Sequence, residues 1–229
     1  MNFLRNATAY LLGGPKVGGA SEARLRRWMA LPEHDLALPH ARARYVVVDT
    51  QTSGANPRRD RSVAIGAVGV RQGRIDFRDC FSTKLRQEPA GVHAGTVIRD
   101  TGGQAPPAGT EPALEALDLL DYLRKAPLVA FDAGSARKDV EREMKAILGV
   151  AFRPRWIDLA ALLPALFPNA GCTTRGAWLE RFGLAAGAWD DPLGDALVTA
   201  QLFLAALEAA TRTGRSSAAQ LVAGRRATR

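Results

Sequence analysis

The chain has 229 residues, 47% hydrophobic and 24% charged, with a formal net charge of +8. This is the balance of a single globular domain of ordinary size with some decoration, able to bury a core without metal or disulfide staples. Cys80 and Cys172 stand apart, with no CxxC pair and no histidine close by, which argues against a disulfide framework or zinc site and for a cytoplasmic setting.

The run from Met1 to Gly14 is short and broken by Asn6 and Thr8, unlike a secretory signal, and no stretch approaches the roughly 18 apolar residues that span a bilayer. Residues 1–42 read as an N-terminal helical extension. Its helix, over 21–30, is opened by Ser21 and carries Leu25, Trp28 and Met29 at helical spacing before Pro32 closes it. The Trp28 face is expected to dock on the domain. A central strand follows over 45–50, because an unbroken β-branched run is buried on both faces. A Gly/Asn/Pro loop over 53–60 leads to strands at 62–70 and 74–85, joined by the hairpin turn Arg71-Gln72-Gly73.

Residues 86–110 hold five glycines and three prolines and read as a long loop. Beyond it the pattern predicts a helix over 111–124, a strand over 128–131 and a helix over 135–148. A last strand over 155–158 and helices over 159–166, 175–182 and 191–207 complete the domain, set at 43–210. Hairpins first and crossovers second give an α/β fold, a mixed five-stranded sheet with helices on its faces. From 211 onward, Arg212, Arg215, Arg225, Arg226 and Arg229 occur without an acid, a basic C-terminal tail. Such an excess is compatible with nucleic acid, and equally with a tail that keeps the chain soluble.

Phosphodiester hydrolysis by two metal ions needs several carboxylates converging on one sheet edge, and a base for the attacking water. Three blocks of this chain, in order, carry a resemblance to a family with that chemistry. The first is Tyr45-Val46-Val47-Val48-Asp49-Thr50-Gln51-Thr52-Ser53-Gly54, followed by Asn56-Pro57 and by Ile65-Gly66-Ala67-Val68. The second is Leu128-Val129-Ala130-Phe131-Asp132-Ala133-Gly134-Ser135-Ala136. The third combines Trp178-Leu179-Glu180-Arg181-Phe182-Gly183-Leu184 with Pro192-Leu193-Gly194-Asp195 and the helix behind it, and Ile157-Asp158-Leu159 matches the segment between the second and third. Over residues 43–210 the chain resembles the DEDD-type 3′–5′ exonuclease family, which includes the proofreading subunit of bacterial DNA polymerase III and RNase T. That resemblance implies an RNase H-like fold, Mg²⁺ or Mn²⁺ as cofactor and single-stranded DNA or RNA as partner.

Carried over residue by residue, the resemblance implies a degenerate site. Asp49 and Asp195 stand where two metal-ligating acids are expected. The Glu of the Asp-x-Glu motif is Gln51, the acid of the second block is Ala136, and the histidine base five residues before the last acid is Asp190. No histidine follows His93, so none is present at the third block. The surviving acids suit a single, weakly bound ion or none. Thr50, Gln51, Thr52 and Phe131 are the nucleic-acid contacts that the resemblance suggests, with Phe131 and Trp189 the aromatics nearest the site.

Asp132, Asp139 and Asp190 are the acids that a rearranged site would use, although Asp132 and Asp139 are equally read as solvated charge near a helix start. Three readings stay open. One is a domain that binds nucleic-acid ends with catalysis impaired or lost. Another is a metal-dependent 3′–5′ exonuclease or oligonucleotidase with a rebuilt site. The third is a protein-interaction module acting through the N-terminal extension and tail.

Overall fold

Strand β1 (Arg44–Ser53) lies in the middle of a five-stranded sheet ordered β3-β2-β1-β4-β5. The computed structural model describes residues 16–53, 62–86, 112–185 and 191–222. Strands β2 (Ser62–Arg71) and β3 (Arg74–Arg86) form an antiparallel meander with β1, and β4 (Leu128–Ala130) and β5 (Trp156–Asp158) pair in parallel. The mixed sheet is the one expected from the pattern. The β2–β3 turn is closed by the Arg71–Arg74 pair, with Gln72 and Gly73 both left-handed at φ 53° and 68°. This is the two-residue turn whose twist suits adjoining strands.

Side chains alternate across β1 and sort into two cores. Val46 and Val48 join Val63, Ile65 and Phe81 beneath helices α1 (Gly19–Ala30), α2 (Pro112–Leu123) and α3 (Ala133–Leu148). Tyr45 and Val47 join Val68 and Val70 beneath α4 (Leu159–Leu166), α5 (Arg175–Arg181) and α6 (Pro192–Arg212). Asp49 and Gln51 continue the odd-numbered row, so β1 carries both toward the α6 side.

Helix α1 begins at Gly19 behind Gly18, two residues earlier than expected, and Ser21 is not its cap. Its Trp28 face is docked: Leu25 and Trp28 are buried, and the Trp28 indole donates to the Arg124 carbonyl at 3.0 Å. Arg24 bonds to Asp118 and Asp121, each at 2.6 Å, and the Lys125 ammonium lies 3.4 Å from the centre of the Trp28 ring.

At the other end, α6 runs to Arg212, five residues past its expected stop, since its buried stripe continues through Ala209 and Ala210. The segment expected as tail is folded as far as Val222 and buries Ala218 and Leu221. His40 fastens it: Nδ1 accepts from the Tyr45 hydroxyl at 2.6 Å while Nε2 donates to the Arg215 carbonyl at 2.9 Å. Contrary to the sequence expectation, α6 is long and apolar enough by composition to cross a membrane, but most of that stretch is buried against the sheet as a core helix. The expected loops over 53–60 and 86–110 lie outside the described residues, apart from Ser53 and Arg86 at their edges.

One approach fixes α6. A Cβ on Gly66 would sit 2.2 Å from the Pro192 carbonyl carbon and oxygen, so the helix start rests directly on bare β2 backbone. Gly66→Ala is expected to lower stability by at least about 2 kcal/mol in urea unfolding, because a backbone cannot yield as a side-chain tip does. Gly176→Ala, at an exposed position of α5 with nothing within 4 Å, should raise stability by up to about 1 kcal/mol.

Candidate functional site

The sheet pairs Asp49 with Gly66, so the helix start that crosses Gly66 also crosses Asp49. Helix α6 is opened by Asp191, whose carboxylate accepts from Leu193 and Gly194 N–H at 2.9 Å, with Pro192 at its first position. Asp195 therefore falls in the first turn, where the helix dipole favours an acid. The two carboxylates end up sharing partners. Arg175 donates to both, through Nη1 to Asp49 at 3.4 Å and through Nη2 to Asp195 at 2.7 Å. Gln51 Nε2 donates to the second oxygen of Asp195 at 3.3 Å.

Burial pushes the Asp49 carboxyl up to about 6, and the charge of Asp195 adds to the effect. The Arg175 charge and the Thr50 N–H act the other way without cancelling it. A pocket of about 250 Å³ adjoins the pair, lined by Asp49, Thr50, Phe131, Asp132, Ser135, Ala136 and Arg175 among others. It opens beside the middle of β1, where β4 ends and α3 begins.

The residues named from sequence fall into three groups. Asp49, Gln51 and Asp195 are brought together by hydrogen bonds, while Thr50 and Phe131 line the adjoining pocket. Thr52 is exposed at the end of β1 and does not line it. Asp190 and Trp189 lie outside the described residues.

Ala136 is buried at the pocket wall with no group to offer. Asp132 caps α3, accepting from Ser135 N–H at 3.1 Å, so that helix starts two residues earlier than expected. Asp139 is buried and paired with Arg142 at 3.1 Å, one turn beyond the pocket. Asp158 caps α4; burial raises its carboxyl above the ordinary value, and the nearby Asp132 adds to this.

Arg175 is the site residue that the sequence reading missed, having been placed only as a helix start. A signal was available. A cation in the first turn of a helix opposes the dipole, and such a misplaced charge calls for an anionic partner elsewhere. Thr174 caps α5 by accepting from Ala177 N–H at 3.2 Å, which fixes Arg175 at that unfavourable end.

No family model matches the chain. Among curated proteins it is 26% identical over 174 residues to the PolC-type DNA polymerase III of Thermotoga petrophila. The match takes in 75% of this chain, which spans only 12% of the length of that curated relative. Among solved structures, the nuclease domain of 3′hExo, a DEDDh family member bound to rAMP, superposes with a TM-score of 0.51 at 12% identity, over 79% of this chain and 97% of that one. The 3′-exonuclease in the structure of 3′-end specific recognition of histone mRNA stem-loop gives a TM-score of 0.51 at 13% identity, over 77% of this chain and 84% of that one. The chain thus resembles the DEDD-type exonucleases and has their RNase H-like fold.

The raised Asp49 carboxyl carries a stability consequence with a definite sign. Its unfolded value is near 3.8 and its folded value about 6, so ionisation costs the folded state above pH 6 and that cost is relieved as pH falls toward 4. Asp49→Asn is therefore expected to stabilise the protein by on the order of 1 kcal/mol at pH 7.5, with the gain vanishing near pH 4. Thermal unfolding followed at both pH values checks this.

Proposed function

We propose that the domain holds an end of single-stranded nucleic acid at the pocket beside Asp49 and does not cleave it efficiently. The carrying observation is the state of the carboxylate pair: one guanidinium bonds to both acids, and Gln51 presents an N–H to Asp195. Hydrolysis needs open carboxylate oxygens around ions, and a base to take the proton of water. The described residues offer neither a third converging acid nor a histidine beside the pair. Asp132 and Asp139, the acids of the rearranged-site reading, have other partners in the α3 cap and in Arg142.

Features that favour binding remain. Phe131 lines the pocket half-buried, which suits a base stacking on its face, and Thr50, Ser135 and Arg175 supply donors around it. The fold is shared with a nuclease domain bound to rAMP and with a 3′-exonuclease described in 3′-end specific recognition of histone mRNA stem-loop. The net charge of +8 favours a polyanion overall. Around the pocket itself, Asp49, Asp195, Asp132 and Asp158 work against a phosphate and Arg175 works for it.

The test is incubation with 5′-labelled single-stranded DNA and RNA in Mg²⁺ and in Mn²⁺, beside Asp49→Ala/Asp195→Ala. No shortening from the 3′ end is expected in either protein. A ladder made by the wild type and lost in the double variant would overturn the reading and restore the rearranged exonuclease. Binding followed by fluorescence anisotropy should weaken about 5- to 100-fold in Phe131→Ala, the loss of one stacked base. Affinity should rise as pH falls through about 6, because protonated Asp49 no longer repels phosphate, and Asp49→Asn should flatten that dependence.

A further inference from the structure

The acids at this site do not fit the divalent ion that the fold family implies. Among the described residues no three His, Cys, Asp or Glu side chains converge as a ligand set. Two carboxylates face one another, and N–H donors fill the positions from which oxygens would bind a cation. Arg175 supplies two of them and Gln51 a third, at 3.4, 2.7 and 3.3 Å. Gln51 thus turns its nitrogen, not its carbonyl oxygen, toward Asp195. Ala136 leaves the pocket wall without a further ligand.

We propose that Arg175 is the resident cation of the site, a side chain in the place of an ion, so that the domain neither binds nor needs a divalent metal there. A guanidinium has a fixed planar fork of donors and keeps its charge at any pH where the protein is folded. It can hold two carboxylates on neighbouring elements together as a bridging ion would, with geometry set by the chain. Here it joins the middle of β1 to the start of α6 from the first turn of α5. It carries one positive charge between two acids, where a divalent ion would bring two. One negative charge is left over. The Gln51 N–H answers part of it, and an acid at position 51 would add to it. Gln51 and Arg175 are thus complementary: an amide at 51 suits a site whose cation is single.

The test reads metal binding directly and needs no nucleic acid, so it is separate from the binding function proposed above. Purified wild type, Arg175→Gln and Arg175→Gln/Gln51→Glu are titrated with Mn²⁺ by calorimetry, with thermal unfolding alongside. Each is measured again with Asp190→Asn added, to keep that carboxylate out of the reading. Wild type is expected to show no heat beyond that of an Asp49→Asn/Asp195→Asn control, and no metal-dependent change in Tm. Arg175→Gln should lose stability without metal and regain about 5 °C in millimolar Mn²⁺, since a ligand that binds only the folded state raises Tm. Adding Gln51→Glu should tighten Mn²⁺ binding at least about tenfold.

Wild-type binding of one Mn²⁺ that vanishes in the Asp49→Asn/Asp195→Asn control would overturn the proposal. Folded Arg175 variants that take up no Mn²⁺ would overturn it as well. If Arg175→Gln is unfolded without metal, recovery of its circular dichroism in Mn²⁺ supports the proposal, and failure to recover overturns it.

Discussion

The start of α6 can rest on β2 only because Gly66 has no side chain. Its backbone meets the Pro192 backbone at a separation that leaves no room for a methyl group. Several features follow from that contact. It fixes the height of the helix above the sheet, and with it the position of Asp195 in the first turn. Because Gly66 is the register partner of Asp49, the same contact sets the second acid over the first. Asp191 and Pro192 make the approach feasible, one by satisfying the N–H groups of the first turn and the other by having none to satisfy. A packing constraint between a strand and a helix is thus also the rule that brings the acids together.

Acids so placed repel one another and are partly withdrawn from water, and neither effect is tolerable without a cation. In this chain the cation is covalently part of the protein. The compensation is incomplete, as the high Asp49 carboxyl records. The bond from Arg175 to Asp195 is short at 2.7 Å, whereas the bond to Asp49 is long at 3.4 Å. Asp195 thus has the better share of the guanidinium, with the Gln51 amide besides, and Asp49 carries most of the unrelieved cost of burial.

Much of this was readable from sequence because it rests on local patterns. The β-branched run at 45–50 announced the central strand, Arg71-Gln72-Gly73 announced the hairpin, and Asp49, Gln51 and Asp195 stood at recognisable spacing in their blocks. Where the reading fell short, tertiary packing decided. Asp132 looked available to a rearranged site, yet it caps α3, a role visible only once Ser135 N–H is placed above it. Asp139 looked near the pocket by helical spacing but faces Arg142 in a buried setting. Arg175 could not be assigned from its own surroundings, because its partners are 126 and 20 residues away and meet it only in the folded chain. The fold of residues 213–222 against His40 was hidden for the same reason.

Strand β1 is gripped by a guanidinium at its start and again at its middle, and the grips differ in how far they stand from water. At its start, Arg44 forks onto Asp79, both oxygens at 2.8 Å, with side chains only 13% exposed. Gly69 leaves the space that Asp79 occupies, and Arg71 bonds to the same carboxylate at 3.0 Å. At Asp49 the Arg175 bridge is a third exposed on the arginine side. Dissolved ions screen the open pair far more than the enclosed one. Rising salt therefore slackens the grip at Asp49 while the one at the start of the strand stays fastened, so ionic strength acts on the geometry of the site before it acts on the sheet.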